Sequence, residues 1–326
     1  MKTRLFNLTM MFLVLITAAA CSKDQDDEDS EWARGVDFDG LPRSGAASFV
    51  IGEDVYITTG YGTSSTRFTD TWVYDINTST WSDKASFPGE ARNNAVTFSI
   101  NGKGYVGLGT NGTKMFKDFY EYDPQSDSWT PIAEFPGTAR YGAISYVISN
   151  VPYVGCGQDI DSQDYNDFYT YNPSSNSWTK VSSTPEKRSF AFSFVINNVA
   201  YIGGGTNNGS YVSSFYAYDG QNWIAKEPLS GRTDDYTYDL RRNFPAVFVL
   251  GSYGFITGGT YSSVLSSTWR YDPSVDYWTE HDDFTIEGAA ARQQAIGFSS
   301  NGVGYVVGGR SGSTPFDDTW KFVPQY

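Results

Sequence analysis

The chain has 326 residues, a formal net charge of −14, 17% aromatic content and a single histidine, His281. A net-acidic protein without a basic stripe is a poor partner for nucleic acid, whose affinity rests on phosphate neutralisation, and for anionic membrane surfaces. One histidine leaves almost nothing for multi-histidine zinc sites or a Ser-His-Asp relay, so neither is expected.

The first 31 residues differ from the rest. Lys2 and Arg4 form a charged start, Leu5 through Thr17 an apolar run, and Ala18-Ala19-Ala20-Cys21 a small-residue cleavage site. The run is too short to span a bilayer comfortably, and its position at the extreme N-terminus predicts an export signal over 1–20. A cysteine directly after three alanines resembles a bacterial lipoprotein processing site, which makes Cys21 the lipidated first residue. Ordinary cleavage near Ala20, giving a soluble exported protein, is the alternative. Ser22 through Glu31 carries one lysine against six acids, and residues 21–31 read as a disordered acidic tether. This run resembles the signal that sends lipoproteins of Bacteroidota to the outer face of the outer membrane; a solvated spacer is the plainer reading. Without Lys2 and Arg4 the charge is −16, and the tether's −5 leaves −11 on the remainder. Membrane attachment is therefore expected through lipid and not through charge.

From Glu31 onward one clause recurs six times: Tyr56-Ile57-Thr58-Thr59-Gly60, Tyr105-Val106-Gly107-Leu108-Gly109, Tyr153-Val154-Gly155-Cys156-Gly157, Tyr201-Ile202-Gly203-Gly204-Gly205, Phe255-Ile256-Thr257-Gly258-Gly259 and Tyr305-Val306-Val307-Gly308-Gly309. The closing glycines are 49, 48, 48, 54 and 50 residues apart. A period near 50 built from short apolar runs predicts an all-β, blade-by-blade architecture. After each glycine, a variable polar stretch leads to an aromatic pair two positions apart, as in Tyr120 and Tyr122, and then in the first five copies to a tryptophan such as Trp129. Spacing by two puts the pair on one side of a strand. Asp123 through Ser128 has turn chemistry, and Asn101-Gly102, Asn197-Asn198 and Asn301-Gly302 supply the positive φ of tight hairpins. The second copy thus predicts strands at Ala95–Ile100, Gly104–Leu108, Phe119–Asp123 and Ser128–Ile132.

The sixth copy ends early, with Trp320-Lys321-Phe322 as its third strand and no following tryptophan. Glu31-Trp32 and Gly40 through Arg43 match Trp129 through Arg140 in pattern. The N-terminal strand is therefore expected to complete the last blade and close a six-bladed ring over 32–326, since an open ring would leave a bare sheet edge.

The Gly-Gly doublet at Gly204-Gly205, Gly258-Gly259 and Gly308-Gly309, the Tyr-Asp step at Tyr74-Asp75, Tyr122-Asp123, Tyr218-Asp219 and Tyr271-Asp272, and the spaced tryptophan resemble the kelch repeat. Thr59, Leu108 and Cys156 replace the first doublet glycine, and Asn172 replaces one aspartate. The resemblance implies a six-bladed kelch β-propeller, with the first strand of each blade lining a central channel and the fourth outermost.

One arginine precedes the first strand of every blade: Arg43, Arg92, Arg140, Arg188, Arg242 and Arg292. In a kelch ring these positions fall near the channel mouth, where six guanidiniums would form a trap for carboxylates or phosphates. Some kelch proteins recognise acidic peptides with arginines at this position. Strict recurrence points instead to a structural job, each arginine bonding carbonyls of the neighbouring blade or an acid such as Glu90, Glu186 or Glu287, and the two roles are compatible for a subset. The long connection after Trp223 places Asp234, Asp235, Tyr236 and Tyr238 on the same rim, either to stack and hydrogen-bond a sugar or simply to cover it.

Other chemistry is sparse. Asp159 through Asp164 with Asn166 and Asp167 clusters oxygen ligands but lacks the glycine turn and bidentate glutamate of an EF-hand loop. Cys156 reads as a buried, inert thiol with no disulfide partner if Cys21 carries lipid. Copper-radical galactose oxidases also carry kelch repeats, but they need two copper-binding histidines, so that activity is rejected. No cofactor and no metal are expected. The sequence favours a lipid-anchored outer-membrane protein, monomeric and facing the cell exterior or else the periplasm. It would act as a non-catalytic binding module for a glycan, peptide or envelope protein. The alternative is a sugar-modifying mutarotase resembling the kelch-bladed N-acetylneuraminate epimerase.

Overall fold

The computed structural model describes residues 31–232, 237–285 and 287–325. The signal segment, Cys21 and the tether before Glu31 lie outside them. Among the described residues six four-stranded antiparallel sheets each form a blade, accompanied by four two-stranded ribbons. Blade 2 comprises Val96–Ile100, Lys103–Gly107, Phe119–Asp123 and Ser128–Ile132, within a residue of the sequence-derived strands. The first strands of blades 1 and 3 to 6 are Ala47–Ile51, Ile144–Ile148, Phe192–Ile196, Ala246–Leu250 and Ile296–Ser300. Among the described residues the only helical turn is the 3-10 segment Thr63–Ser65. The hairpin residues behave as their chemistry demands: φ is 53° and 71° at Asn101 and Gly102, 49° and 65° at Asn197 and Asn198, and 50° and 78° at Asn301 and Gly302.

Flat blades must bury aromatic faces against each other, and the burial is organised that way. Six hydrophobic clusters occur, one at each blade–blade interface. In every blade an aromatic on the first strand stacks on its cross-strand partner. Phe49–Tyr56, Phe98–Tyr105, Tyr146–Tyr153, Phe194–Tyr201, Phe248–Phe255 and Phe298–Tyr305 lie 4.7–5.5 Å apart with planes 5–22° from parallel. The second ring of each stack then meets a third-strand aromatic of the next blade, as Tyr105 meets Tyr171 at 5.8 Å. Offset aromatic contacts of this kind add about 0.5–1.5 kcal/mol each beyond area burial.

Closure runs through the N-terminus as expected. Trp32–Arg34 pairs with Thr319–Phe322 in antiparallel register, Trp32 opposite Phe322 and Arg34 opposite Trp320, as the fourth strand of blade 6. Trp32 is 1% exposed, packs on Phe284 and Phe322 at 4.7 and 4.9 Å, and donates its indole N–H to the Asp282 carbonyl of blade 5. Glu31 beside it is also buried. Its carboxylate lies 2.9 Å from His281 Nδ1 and accepts the backbone N–H of Asp282 and Gln325, tying Gln325 and the Trp32 strand to blade 5.

The second glycine of each doublet (φ 82–107°) performs a second closure, its N–H donating to the arginine carbonyl of the next blade. The bonds are Gly60 to Arg92, Gly109 to Arg140, Gly157 to Arg188, Gly205 to Arg242, Gly259 to Arg292 and Gly309 to Arg43, all 2.8–2.9 Å. A Cβ on Gly205 would sit 2.4 Å from the Ser189 carbonyl oxygen. Gly205→Ala is therefore expected to destabilise by more than about 1 kcal/mol, combining a left-handed backbone with a backbone clash. Urea denaturation measures it, and an unchanged midpoint would show that the staple gives way freely. The first doublet position is more permissive, since Thr59, Leu108 and Cys156 occupy it at φ 58–62°.

Candidate functional site at the channel mouth

The six arginines are side chains of the scaffold. Each is at most 2% exposed. Arg43, Arg92, Arg140 and Arg292 grip Asp70, Asp118, Asp167 and Asp318 with both terminal nitrogens, the Arg92 pair at 2.6 and 2.8 Å. Each of these four donates Nη1 to the carbonyl of the first doublet residue sixteen positions on, and Nε to a carbonyl two positions back. Aromatic rings cover the guanidinium, as Phe116 does for Arg92 at 3.9 Å. In blades 4 and 5 the aspartate is replaced by Ser214 or Ser267. Arg242 bonds Ser267 through its carbonyl and hydroxyl, and Arg188 bonds Ser214, whose hydroxyl passes on to Glu186 at 2.5 Å. Burial lowers Arg242 to about 10, so it stays cationic at neutral pH.

This corrects the anion-trap expectation. Arg43, Arg92, Arg140, Arg188, Arg242 and Arg292 do not line the mouth, because they are buried and their donors, the Nε of Arg188 excepted, are spent within the scaffold. Of the anticipated acids, Glu186 does reach its arginine, at 3.9 Å and through Ser214, whereas the Glu90 carboxylate does not. Glu90 gives Arg92 only its carbonyl and pairs its carboxylate with Lys114.

The paired aspartates make stability depend on pH. Burial pulls Asp70 and Asp318 upward. The hydrogen bonds and charge of Arg43 and Arg292, with the indole N–H of Trp72 and Trp320, outweigh it and hold both below the ordinary carboxylate value. A carboxylate depressed in the folded state stabilises above its unfolded pKa of about 3.9 and loses that contribution as pH falls through the folded value. Melting temperature should therefore hold between about pH 7 and 5 and drop below about pH 4. Asp318→Asn should lower it at pH 7 and shrink the acid drop. An acid limb identical to wild type would remove Asp318 from the account.

The mouth is built by the two residues after each arginine. The first pairs with the strand beyond the doublet of its own blade, as Asn93 with Thr110 and Asn243 with Thr260. The second adopts φ of 52–61° in every blade: Gly45, Asn94, Gly142, Phe190, Phe244 and Gln294. These six form a closed cycle of main-chain hydrogen bonds. Asn94 N–H donates to Gly45, Gly142 to Asn94, Phe190 to Gly142, Phe244 to Phe190, Gln294 to Phe244, and Gly45 back to Gln294, at 2.8–3.4 Å. This collar, with Ala46, Ala95, Ala143, Ala191, Pro245 and Ala295, surrounds a cavity of about 170 Å³.

Around the collar opens a bowl of about 440 Å³ with two unlike halves. Blades 3 to 5 contribute Tyr141, Phe190 and Phe244, with ring centroids 5.1 Å apart for Tyr141–Phe190 and 4.7 Å for Phe190–Phe244. Blades 6, 1 and 2 contribute Gln294, Arg310, Tyr61, Arg67, Asn93 and Asn94. Gln294 Nε2 donates to Asn94 Oδ1 at 3.1 Å across Gly45. Arg67 donates Nε to Asn93 Oδ1 at 2.8 Å, and burial lowers its pKa from the usual value. The Arg67 and Arg310 guanidiniums lie 5.0 and 5.8 Å from the centroid of one ring, Tyr61. Neither pairs with a carboxylate among the described residues, and Arg310 Nε is buried without a hydrogen-bond partner.

The KLHDC2/KLHL20/DRC7 Kelch-repeats domain matches residues 132–309, and the Kelch motif matches residues 42–88. The chain belongs to the kelch-repeat family. No curated protein matches it by sequence. A solved structure described as "Structure of YjhT" superposes with a TM-score of 0.73 at 16% identity, covering 90% of this chain and 97% of that one, which shows a shared fold.

The remaining sequence-derived residues lie away from the bowl of this kelch propeller or outside the described residues. Asp234, Asp235 and Tyr236 fall in the latter group. Tyr238 sits on the ribbon formed by Ser230–Arg232 and Thr237–Asp239, packs against the blade 4–blade 5 core, and donates to the Pro228 carbonyl at 3.1 Å. It is not among the bowl's walls. The Asp159 carboxylate accepts from the N–H of Asp161 and Gln163 and from the Tyr165 hydroxyl, and Asp164 accepts from the Asn208 N–H in blade 4. Those acids hold their loop together. Among the described residues no group of His, Cys, Asp and Glu is arranged to hold a metal ion. Cys156 is fully buried, and burial pushes its thiol up to about 12, so it is protonated at neutral pH.

Arg67 and Arg310 carry no repeat signal, and nothing in the periodic reading singled them out. Arg67 stands in the variable stretch of blade 1, and Arg310 follows the last doublet in a slot filled elsewhere by Tyr61, Thr110, Gln158, Thr206 and Thr260.

Proposed function

We propose that the protein is a non-catalytic binding module of the cell envelope, anchored through lipid on Cys21, whose bowl engages a glycan, peptide or partner protein. The observation that carries this reading is the bowl itself: a polar half with two arginines free of carboxylate partners faces an aromatic half, both fixed on a closed collar. Pre-formed concave sites with a few convergent polar groups on a rigid frame are the usual form of ligand sites. The test is capture from glycan and peptide arrays by wild type and by a Phe190→Ala/Phe244→Ala variant with an unchanged melting curve. Loss of capture supports the bowl, and undiminished capture refutes it. Palmitate labelling that survives Cys21→Ser would refute the anchor separately.

Sugar mutarotation is the second reading. It needs an acid and a base at the sugar, whereas the bowl's walls offer only the phenols of Tyr61 and Tyr141 for proton exchange. That chemistry supports binding over catalysis. Acceleration of N-acetylneuraminate anomer interconversion, followed by NMR, would reverse the preference.

A further inference from the structure

Building on the bowl as the binding site, we infer that its ligand is an anionic saccharide. An oxyanion, carboxylate or sulfate, would lie between Arg67 and Arg310, and the sugar ring would lie against Phe190 and Phe244. The chain is acidic, yet two arginines of the bowl wall share one tyrosine ring and have no carboxylate partner among the described residues. Arg310 makes no side-chain hydrogen bond among the described residues; its Nε is closed to solvent, which leaves the terminal nitrogens of its guanidinium as the donor toward the bowl. Such a donor gains from an incoming oxygen, and a guanidinium fork matches an oxyanion in bidentate geometry. Room for Arg67 is provided by Gly112, where a Cβ would lie 2.5 Å from Arg67 Nη2.

The rest of the bowl selects a sugar over a peptide. Asn94 and Gln294 are planar amides able to give and accept hydrogen bonds, which suits vicinal hydroxyls. The tilted Phe190–Phe244 pair, with Tyr141 edge-on, offers ring faces for the apolar side of a pyranose. A peptide laid on the collar would want free main-chain groups, and the six collar N–H groups and their acceptor carbonyls are spent on one another.

The test is calorimetric titration of the full chain with a galacturonate disaccharide, a sulfated disaccharide and an uncharged disaccharide, with an acidic aromatic peptide as competitor. At least one charged sugar should bind about tenfold or more tighter than the uncharged one, and its affinity should fall between low and high salt. Arg67→Gln and Arg310→Gln should each remove most of that preference. Arg67→Lys and Arg310→Lys, which keep charge without the fork, should remove less. Melting curves accompany every variant, and the salt dependence on wild type stands even if one variant fails to fold. Carboxylate and sulfate are told apart by which charged probe wins. Equal affinity for the uncharged sugar, unaffected arginine variants, tighter binding of the peptide, or no binding of any sugar would each overturn the inference. If only the arginine variants are silent, the ligand class is wrong and the bowl survives. If Phe190→Ala/Phe244→Ala also leaves binding untouched, the bowl falls with it.

Discussion

Arg140→Ala should cost about 3–5 kcal/mol of stability, the usual penalty for breaking a buried ion pair from one side. Arg140 is fully buried, holds Asp167 at 2.5 and 3.2 Å, and donates to the Cys156 and Thr138 carbonyls at 3.0 and 2.9 Å. Tyr165 covers its guanidinium at 4.0 Å. Alanine strands a carboxylate and two carbonyls and opens a void between Phe135 and Tyr165. Arg188→Ala should cost clearly less. Its partner is Ser214, its Nε is already unpartnered, and Glu186 approaches only to 3.9 Å. Urea denaturation of both variants measures the difference. Equal losses would mean that the aspartate grip adds nothing to the carbonyl bonds.

Trp32→Ala should be the other severe change, at about 3–5 kcal/mol by the measure of large aromatic truncations. The tryptophan is 1% exposed, fills the space between Phe284, Phe322 and Phe248, and joins blade 6 to Asp282. Deleting residues 1–36 should be worse in kind. It removes the partner of Thr319–Phe322 and bares a strand edge carrying Trp320 and Phe322, a template for self-association. Size-exclusion chromatography should show oligomers or aggregate for the deletion and a folded, weakened protein for Trp32→Ala. A stable monomeric deletion would show that five and three-quarter blades suffice.

The frame was readable because repetition averages out local ambiguity. Six copies of one apolar clause, with asparagine and glycine at each hairpin and Trp32 matching the missing fourth strand, leave little freedom for another fold. The arginine series was visible for the same reason, and its structural reading was open from the start. Its partners were harder to see. The acid sits 26 or 27 residues further on, just before the third strand, in Asp70-Thr71-Trp72, Asp118-Phe119-Tyr120, Asp167-Phe168-Tyr169 and Asp318-Thr319-Trp320. Glu90 and Glu186 were nearer in sequence and therefore more tempting, and of the two only Glu186 reaches its arginine, at 3.9 Å. The bowl was the least legible part. Its distinguishing residues are those that break the repeat, and Phe190, Phe244, Arg67 and Arg310 mean nothing until six blades bring them to one rim.

The collar has a consequence for how such a molecule can change. Its cohesion comes from peptide groups, so what projects from positions 45, 94, 142, 190, 244 and 294 is decoupled from what keeps the wheel shut. Glycine, asparagine, phenylalanine and glutamine already coexist there in one chain at nearly the same backbone angle. Taste can therefore be rewritten at the spokes while the hub stays as it is, provided that anything larger than glycine at 45 or 142 is matched by its neighbour at 94 or 190.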